Sequence, residues 1–219
     1  MNWMKKVAVA LVCLLPLGLQ AAKVDTLQVK SPSMNKSIEV VVVSPDVAAT
    51  KACPVIYLLH GYGGNARTWV GIKPDLSKIA DEKGIFFVCP DGKNTWYWDS
   101  PLNADVRYET FISDELVKYV DSHYKTVADR KGRAITGLSM GGHGAMWNGL
   151  RHSDVFSAAG STSGGVDIRP FPKNWEMSVQ IGEKAKYPEN WEKYTVINLV
   201  PTLRKDQIAL IFDSGDSDF

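Results

Sequence analysis

The chain of 219 residues has little cysteine, little histidine and almost no net charge: three Cys, four His, and 25 basic against 24 acidic residues. A near-neutral balance does not predict binding to nucleic acid or to an anionic membrane. The four histidines are not spaced as metal ligands. Neither a metal nor an organic cofactor is predicted. Internal repeats and low-complexity linkers are also missing, which leaves one domain of roughly 200 residues with room for a sizeable core.

The first residues have the pattern of a secretory signal peptide. Lys5 and Lys6 precede an apolar run over residues 7–19, and small residues follow at Ala21 and Ala22. The run is short and contains a proline and a glycine, which disfavours a membrane span; an N-terminal anchor is the alternative. We predict a signal peptide over residues 1–21, a mature domain over 22–219, export to the periplasm or beyond, and no stable membrane insertion after cleavage.

Removal of residues 1–21 leaves two cysteines, Cys53 and Cys89. An even pair in an exported protein invites a disulfide. Cys53, however, opens one predicted strand and Cys89 closes the next parallel one, so the two should lie ~15 Å apart at ~3.3 Å per residue. That separation is beyond disulfide reach, and we expect no disulfide.

Hydrophobic periodicity predicts strands that alternate with helices. The predicted strands cover residues 24–30, 38–44, 54–59, 85–89, 133–137, 156–161 and 208–213. The predicted helices cover residues 68–82, 109–124 and 141–151, with short helical pieces near residue 191 and over 196–203 of an otherwise irregular segment. This alternation predicts an α/β fold with a mostly parallel sheet, helices on both faces and an N-terminal antiparallel hairpin.

Ligands of such sheets bind beyond the carboxyl ends of the strands. Chemistry-bearing segments fall at five of those ends: His60–Gly64, Trp96–Trp98, Ser139, Ser163–Asp167 and Asp213–Asp218. Their convergence predicts an active site at that edge of the sheet.

The most informative stretch is Gly137-Leu138-Ser139-Met140-Gly141, a G-x-S-x-G motif between a predicted strand and a predicted helix. Such a motif forms a nucleophile elbow, a sharp turn that holds the serine in a strained conformation. Side chains at Gly137 and Gly141 would collide with the neighbouring strand and helix. The turn should expose the Ser139 hydroxyl, and the Met140 amide at the helix N-terminus can meet an oxyanion. A glycine-rich loop with an exposed serine is the alternative interpretation.

A serine nucleophile also needs a second oxyanion donor, an acid and a base. The glycine-rich loop after residue 59 lets the backbone approach a substrate, and we favour the Tyr62 amide as the second donor, although the loop can also be a plain turn. The acid is expected after the last strand, where Asp213, Asp216 and Asp218 are candidates. Asp167, after the preceding strand, is a further candidate.

The base is the missing component, because no histidine follows these acids. The histidines are His60, His123, His143 and His152. His143 lies one helical turn beyond the serine and should point beneath the elbow, while His60 is expected to be structural. The other two lie near predicted helix ends, where a cation favours the helix dipole. The sequence therefore has a nucleophile, an acid and oxyanion donors without a credible base.

Aromatic residues are concentrated near the predicted site. Trp96, Tyr97, Trp98 and Trp175 can stack on sugar rings or aromatic acyl groups, so we predict that they bind substrate. Packing in the core is the alternative role for Trp96 and Trp98.

The chain resembles the esterase group of α/β hydrolases, which includes S-formylglutathione hydrolases, tributyrin esterases, secreted mycolyltransferases, and the feruloyl and acetylxylan esterases of carbohydrate esterase family 1. The segments that carry the resemblance are VIYLLHGYGG at 55–64, WYWDSP at 96–101, YETFISDELVKYV at 108–120, GLSMGGHGA at 137–145 and FDSGDSDF at 212–219. They span almost the whole chain after residue 21, in order.

The resemblance implies an α/β-hydrolase fold and a serine esterase without a cofactor. By this resemblance Ser139 is the nucleophile, the Tyr62 and Met140 amides form the oxyanion hole, and Asp218 matches the second acidic position of the family's G-x-x-D and is the triad acid. Family members continue past this acid through another helix and strand, and then present the catalytic histidine. We therefore expect the chain to be C-terminally incomplete, with its last helix and strand missing.

The main hypothesis is an exported serine carboxylesterase that hydrolyses short acyl or hydroxycinnamoyl esters, with plant polysaccharide esters as candidate substrates, through an acyl-enzyme on Ser139. The alternative is a non-catalytic protein of the same fold that binds a carbohydrate or an ester, and the missing histidine is its support. An acyltransferase would share the same site.

Overall fold

Seven strands form one mixed sheet in the computed structural model, which describes residues 22–218. The predicted signal peptide lies outside the described residues. The order across the sheet is β1-β2-β4-β3-β5-β6-β7. The strands are β1 (Lys23–Ser31), β2 (Lys36–Ser44), β3 (Val55–Leu59), β4 (Phe86–Pro90), β5 (Arg133–Gly137), β6 (Ala158–Thr162) and β7 (Ala209–Asp213).

The sheet is antiparallel at one edge and parallel elsewhere. β1 and β2 form a hairpin whose register pairs Lys23 with Ser44 and Ser31 with Lys36, and β2 runs antiparallel to β4. All pairings among β3, β4, β5, β6 and β7 are parallel. This arrangement confirms the predicted α/β class with its N-terminal antiparallel hairpin.

Helices cover both faces of the sheet, as predicted. The helices are α1 (Thr68–Ile72), α2 (Leu76–Lys83), α3 (Tyr108–Thr110), α4 (Leu116–His123), α5 (Met140–Arg151), α6 (Met177–Ile181) and α7 (Pro188–Lys193). Because strand side chains alternate between faces, Val41 and Val43 of β2 pack with α2, while Val40 and Val42 join a larger core that includes α4 and α5. Within residues 22–218, no helix has the length and apolar character needed to cross a membrane.

Two predicted helices differ from the observed ones in detail. Residues 68–82 form two helices because Lys73 precedes a proline and has a non-helical backbone (φ −126°, ψ 72°). The predicted helix over 109–124 continues from α3 to α4 through a π-helical turn at Phe111–Glu115. α6 lies in a segment that we predicted to be irregular, where its five residues are too few to produce a clear helical period.

Cys53 and Cys89 are both free thiols and both buried. They belong to the cores on opposite faces of the sheet. Burial raises the pKa of the Cys89 thiol to about 12, so this group stays protonated at neutral pH. The two cysteines are therefore core residues.

Candidate active site

Ser139 lies at the sharp turn between β5 and α5, with φ 55° and ψ −117°. Such a backbone conformation is rare for a residue that carries a side chain. Two hydrogen bonds hold the turn: the Ser139 amide donates to the Thr162 carbonyl oxygen at 2.9 Å, and the Gly141 amide donates to the Leu138 carbonyl oxygen at 2.8 Å. Ser139 itself is exposed, so the turn presents it to solvent.

Two glycines make this turn sterically possible. A Cβ on Gly137 would overlap the Gly141 carbonyl oxygen and lie 2.7 Å from the Leu59 carbonyl oxygen. A Cβ on Gly141 would overlap the same Leu59 oxygen and lie 2.7 Å from the His60 carbonyl oxygen. All these neighbours are backbone atoms, so no side-chain rotation can relieve the overlap. The geometry has the features of a nucleophile elbow.

The loop after β3 packs against the elbow. A Cβ on Gly61 would lie 3.3 Å from the Leu138 carbonyl oxygen and 3.6 Å from Ser139 Cβ. Tyr62 and Met140 both line the cavity that contains Ser139. Met140 begins α5, so its amide lacks a carbonyl partner one turn earlier in the helix. The two residues predicted to donate to the oxyanion thus share the cavity with the serine, and their role stays a prediction.

Ser139 lies on a cavity of about 300 Å³. Its apolar wall consists of Trp96, Ile168, Phe171, Trp175 and Met177. The loop over residues 163–165, which follows β6, completes the lining beside the elbow. A concave site of this size with an apolar wall and a few polar groups suits a small acyl group or a single aromatic ring.

The four aromatic residues predicted to bind substrate divide into two pairs. Trp96 and Trp175 line the cavity, and Trp96 Nε1 donates to the Trp175 carbonyl oxygen at 3.0 Å. Tyr97 and Trp98 are fully buried and do not line the cavity, so the prediction that they contact substrate is wrong. Their polar atoms explain the burial, because Tyr97 donates to the His60 carbonyl oxygen and Trp98 donates to a ring nitrogen of His143.

Asp218 is the acid from the last-strand segment that lines the Ser139 cavity. Its Oδ2 accepts a hydrogen bond from Ser214 Oγ at 3.3 Å. Asp213 ends β7 and lines a different cavity, and Asp216 lines neither. The position of Asp218 fits the role expected from the resemblance, and that role stays a prediction.

Asp167, the further candidate acid, also lines the cavity but is paired with Arg169. Arg169 Nε donates to Asp167 Oδ1 at 2.8 Å, and a terminal guanidinium nitrogen donates to Oδ2 at 2.7 Å. Hydrogen bonds from Arg169 hold the pKa of Asp167 below its usual range. Both carboxylate oxygens are therefore already engaged in an ion pair at neutral pH.

His143 is fully buried beneath the elbow and its two ring nitrogens are both occupied. Nδ1 donates to the Gly165 carbonyl oxygen at 2.7 Å, and Nε2 accepts a hydrogen bond from Trp98 Nε1 at 2.9 Å. Burial lowers the pKa of His143 to about 4, so the ring is neutral at pH 7. His143 therefore connects the elbow helix to the loop after β6 and does not act as a base.

The remaining three histidines are also engaged away from Ser139. His60 Nδ1 donates to the Gly61 carbonyl oxygen, and its Nε2 accepts from the Gly92 amide. His123 Nδ1 donates to a carbonyl oxygen of α4, and His152 Nε2 bonds the Glu109 carboxylate. Among residues 22–218, no histidine lines the Ser139 cavity, and no three His, Cys, Asp or Glu side chains group as they would around a metal ion.

Part of the cavity wall could not be predicted from the sequence. Ile168, Phe171 and Met177 come from the segment predicted to be irregular, which has no period that assigns side chains to a face. Of the wall residues in that segment, only Trp175 is predicted from the sequence to bind substrate. Asn94 hydrogen bonds both to the loop after β3 and to Glu176, but it belongs to no motif that would mark it in the sequence.

The fold and the site together define an α/β hydrolase. Comparisons with known proteins then give the family: the chain belongs to the family described as "Putative esterase", whose family model matches residues 31–219. The chain is 31% identical over 149 residues to Esterase Rv1288 of Mycobacterium tuberculosis. That alignment covers 65% of this chain and 32% of the relative, so the chain spans about a third of the relative's length.

Solved structures agree with this assignment. A ferulic acid esterase superposes with a TM-score of 0.71 at 28% identity, over 90% of this chain and 80% of the other. An S-formylglutathione hydrolase from Agrobacterium tumefaciens superposes with a TM-score of 0.75 at 22% identity, over 91% and 78% of the two chains. The second likeness supports the fold alone.

Proposed function

We propose that the protein is a serine carboxylesterase that hydrolyses short acyl or hydroxycinnamoyl esters through an acyl-enzyme on Ser139. The observation that carries this proposal is Ser139 itself, which is exposed at a strained turn, beside a helix N-terminus, on a cavity with an aromatic wall. A strained serine with this backbone is the arrangement that presents a nucleophile to a carbonyl carbon.

In the proposed reaction, Ser139 Oγ attacks the ester carbonyl carbon and its proton passes to a general base. The Met140 and Tyr62 amides donate to the resulting oxyanion. Collapse of this intermediate releases the alcohol, protonated by the same base, and leaves the acyl group on Ser139. Water then repeats the attack and releases the acid.

The aromatic wall supports a flat acyl group as one substrate class. Trp96 and Trp175 lie with ring centroids 6.4 Å apart and both line the cavity. Aromatic rings of this kind stack on phenyl groups and on sugar faces. The likeness to a ferulic acid esterase favours the same class, and the predicted signal peptide favours an exported protein that meets esters on polysaccharide.

The second candidate function is a non-catalytic protein that holds an ester or a carbohydrate. The observation that favours it is the placement of His60, His123, His143 and His152, which are all engaged away from Ser139 in the described chain. A protein of this kind would bind an ester or a carbohydrate in the same cavity without reacting with it.

Hydrolysis of p-nitrophenyl acetate and methyl ferulate by the longest product that the native host makes separates the two functions. The intact mass of that product should be measured first, because it defines the chain under test. We expect Ser139→Ala to lower kcat by at least about 10³-fold. The control Ser122→Ala should keep parental activity, because Ser122 is exposed and, in the described chain, donates to the Tyr119 carbonyl oxygen and contacts its neighbour His123. A Ser139→Ala variant as active as the parent would refute the esterase. An inactive parent that still binds ferulate would favour the second function.

A further inference from the structure

Asn94 connects two segments that each contribute a residue to the lining of the Ser139 cavity. Its Oδ1 accepts a hydrogen bond from the Gly63 amide at 2.9 Å, and its Nδ2 donates one to Glu176 Oε2 at 3.2 Å. Gly63 follows Tyr62 in the loop after β3, and Glu176 follows Trp175 in the aromatic wall. One side chain thus bridges the loop that carries the proposed oxyanion donor and the wall that faces the acyl group.

Both bridged segments contain residues with positive φ, which only glycine adopts readily. Gly63 has φ 75°, and the consecutive residues Trp175 and Glu176 have φ 48° and 54°. Left-handed conformations of residues with side chains persist only where the surroundings hold them in place. The Trp175 carbonyl oxygen is held by Trp96 Nε1 at 3.0 Å, and the Glu176 side chain is held by Asn94. The hydrogen bond from Asn94 therefore supports a segment that would otherwise relax.

Tyr62, which precedes Gly63, also responds to Glu176. Desolvation, followed by a hydrogen bond and the charge of Glu176, raises the pKa of the Tyr62 phenol. The Glu176 carboxylate accepts a hydrogen bond from Asn94 Nδ2, and its charge acts on the Tyr62 phenol. A displacement of Glu176 would reach the loop after β3 through Asn94.

We propose that Asn94 is a positioning residue that couples the oxyanion loop to the aromatic wall. The inference rests on the proposed esterase function. Asn94 Oδ1 fixes the Gly63 amide and with it the adjoining Tyr62 peptide, which sets the geometry for the oxyanion. Asn94 Nδ2 fixes Glu176 and with it Trp175, which sets the position of an aromatic acyl group. The first contact acts on kcat for every ester, and the second acts on KM for aromatic esters.

Three changes separate the two contacts. Asn94→Ala removes both. Asn94→Asp keeps an acceptor for the Gly63 amide and places a second carboxylate against Glu176. Combining Asn94→Asp with Glu176→Gln restores the hydrogen bond in the opposite direction, because the amide at position 176 then donates to the carboxylate at position 94. The matched control is Asn103→Ala, because Asn103 Oδ1 accepts a backbone amide, that of Asp105, at the same 2.9 Å in an exposed loop that does not line the cavity.

Steady-state kinetics with p-nitrophenyl acetate and methyl ferulate give the first readout. We expect Asn94→Ala to lower kcat on both esters about tenfold, the effect of losing roughly one hydrogen bond in the transition state. Asn94→Asp should keep kcat on the acetate within about twofold and raise KM for methyl ferulate about fivefold, and the double variant should return that KM to within about twofold of the parent. Parental kinetics in Asn94→Ala would overturn the proposal, as would a double variant no better than Asn94→Asp.

Hydrogen exchange of the peptide that contains residues 61–65 gives a readout that needs no activity. Exchange should be faster than in the parent for Asn94→Ala and parental for Asn94→Asp and Asn103→Ala, because only the first variant loses the acceptor of the Gly63 amide. Unchanged exchange in Asn94→Ala would overturn the role of Asn94. A parent that hydrolyses neither ester would instead refute the proposed function, so the two failures are distinguishable.

Discussion

Gly141→Ala should destabilise the fold, because the added methyl group has no free volume to occupy. Its Cβ would overlap the Leu59 carbonyl oxygen and lie 2.7 Å from the His60 carbonyl oxygen. Both oxygens belong to the backbone at the end of β3, and β3 is paired in parallel with β4 on one side and β5 on the other. The strand cannot withdraw without weakening those pairings, so α5 would have to move away from the sheet.

The expected loss of unfolding free energy is about 3 kcal/mol, the upper end of the usual range for overpacking, because the neighbours are backbone atoms. Alanine is otherwise the better helix former, and its advantage over glycine recovers only about 1 kcal/mol within α5. A net loss of at least about 2 kcal/mol in a domain of this length lowers Tm by roughly 4–8 °C.

Urea unfolding followed by tryptophan fluorescence measures the change, with the slope m checked for constancy. The matched control is Gly71→Ala in α1, because a Cβ at Gly71 meets no atom within 4 Å and the position is exposed. We expect the control to be neutral or to gain about 0.5–1 kcal/mol. A Gly141→Ala variant as stable as Gly71→Ala would refute the steric account of the elbow.

Two buried titratable groups make further predictions. The pKa of His143 is near 6.5 when unfolded and about 4 when folded, so the free energy of unfolding should fall by about 3 kcal/mol as pH drops from 6.5 to 4. In urea titrations across this pH range, the free energy of unfolding should fall less steeply for His143→Gln than for the parent. An identical pH dependence in the two proteins would contradict the assignment. Burial acts to raise the pKa of the Glu109 carboxyl, but hydrogen bonds from His152, Arg151 and Trp147 outweigh it and the pKa is lowered. Glu109→Gln should therefore cost about 2 kcal/mol at pH 7, with the difference from the parent shrinking below pH 4.5 as the parent carboxylate is protonated; a pH-independent difference would contradict this.

The parts of the fold that could be predicted from the sequence are those where the backbone is regular. β3 is a continuous apolar run bounded by turn residues, and the structure places it at the centre of the sheet, between β4 and β5. The elbow could be predicted because the close approach of α5 to β3 requires glycine at positions 137 and 141, and these two glycines form a motif around Ser139. In both cases the signal lies within one short stretch of the sequence, although the contact that the elbow glycines permit is made with Leu59 of β3.

The bridge from Asn94 to Glu176 shows why the rest could not be predicted. The two residues are 82 positions apart, and nothing near either one indicates the other. The same holds for His143 and Trp98, which are 45 positions apart and meet in a buried hydrogen bond. Contacts of this kind depend on how loops from different strands close over the sheet, and that closure has no local period.

Backbone strain at the cavity explains why some residues of the candidate site could be predicted from the sequence and others could not. Trp96, Ser139, Ser163 and Trp175 all line the cavity, and all have positive φ between 47° and 58°. Propensity predicts glycine or asparagine at such positions, so three of the four carry no sign of their conformation in the sequence. Only Ser139 is marked, by the glycines two residues on either side. The motif therefore identifies Ser139, the residue proposed to react. The wall proposed to select the acyl group depends instead on strained residues that long-range hydrogen bonds hold in place, and these leave no local pattern in the sequence.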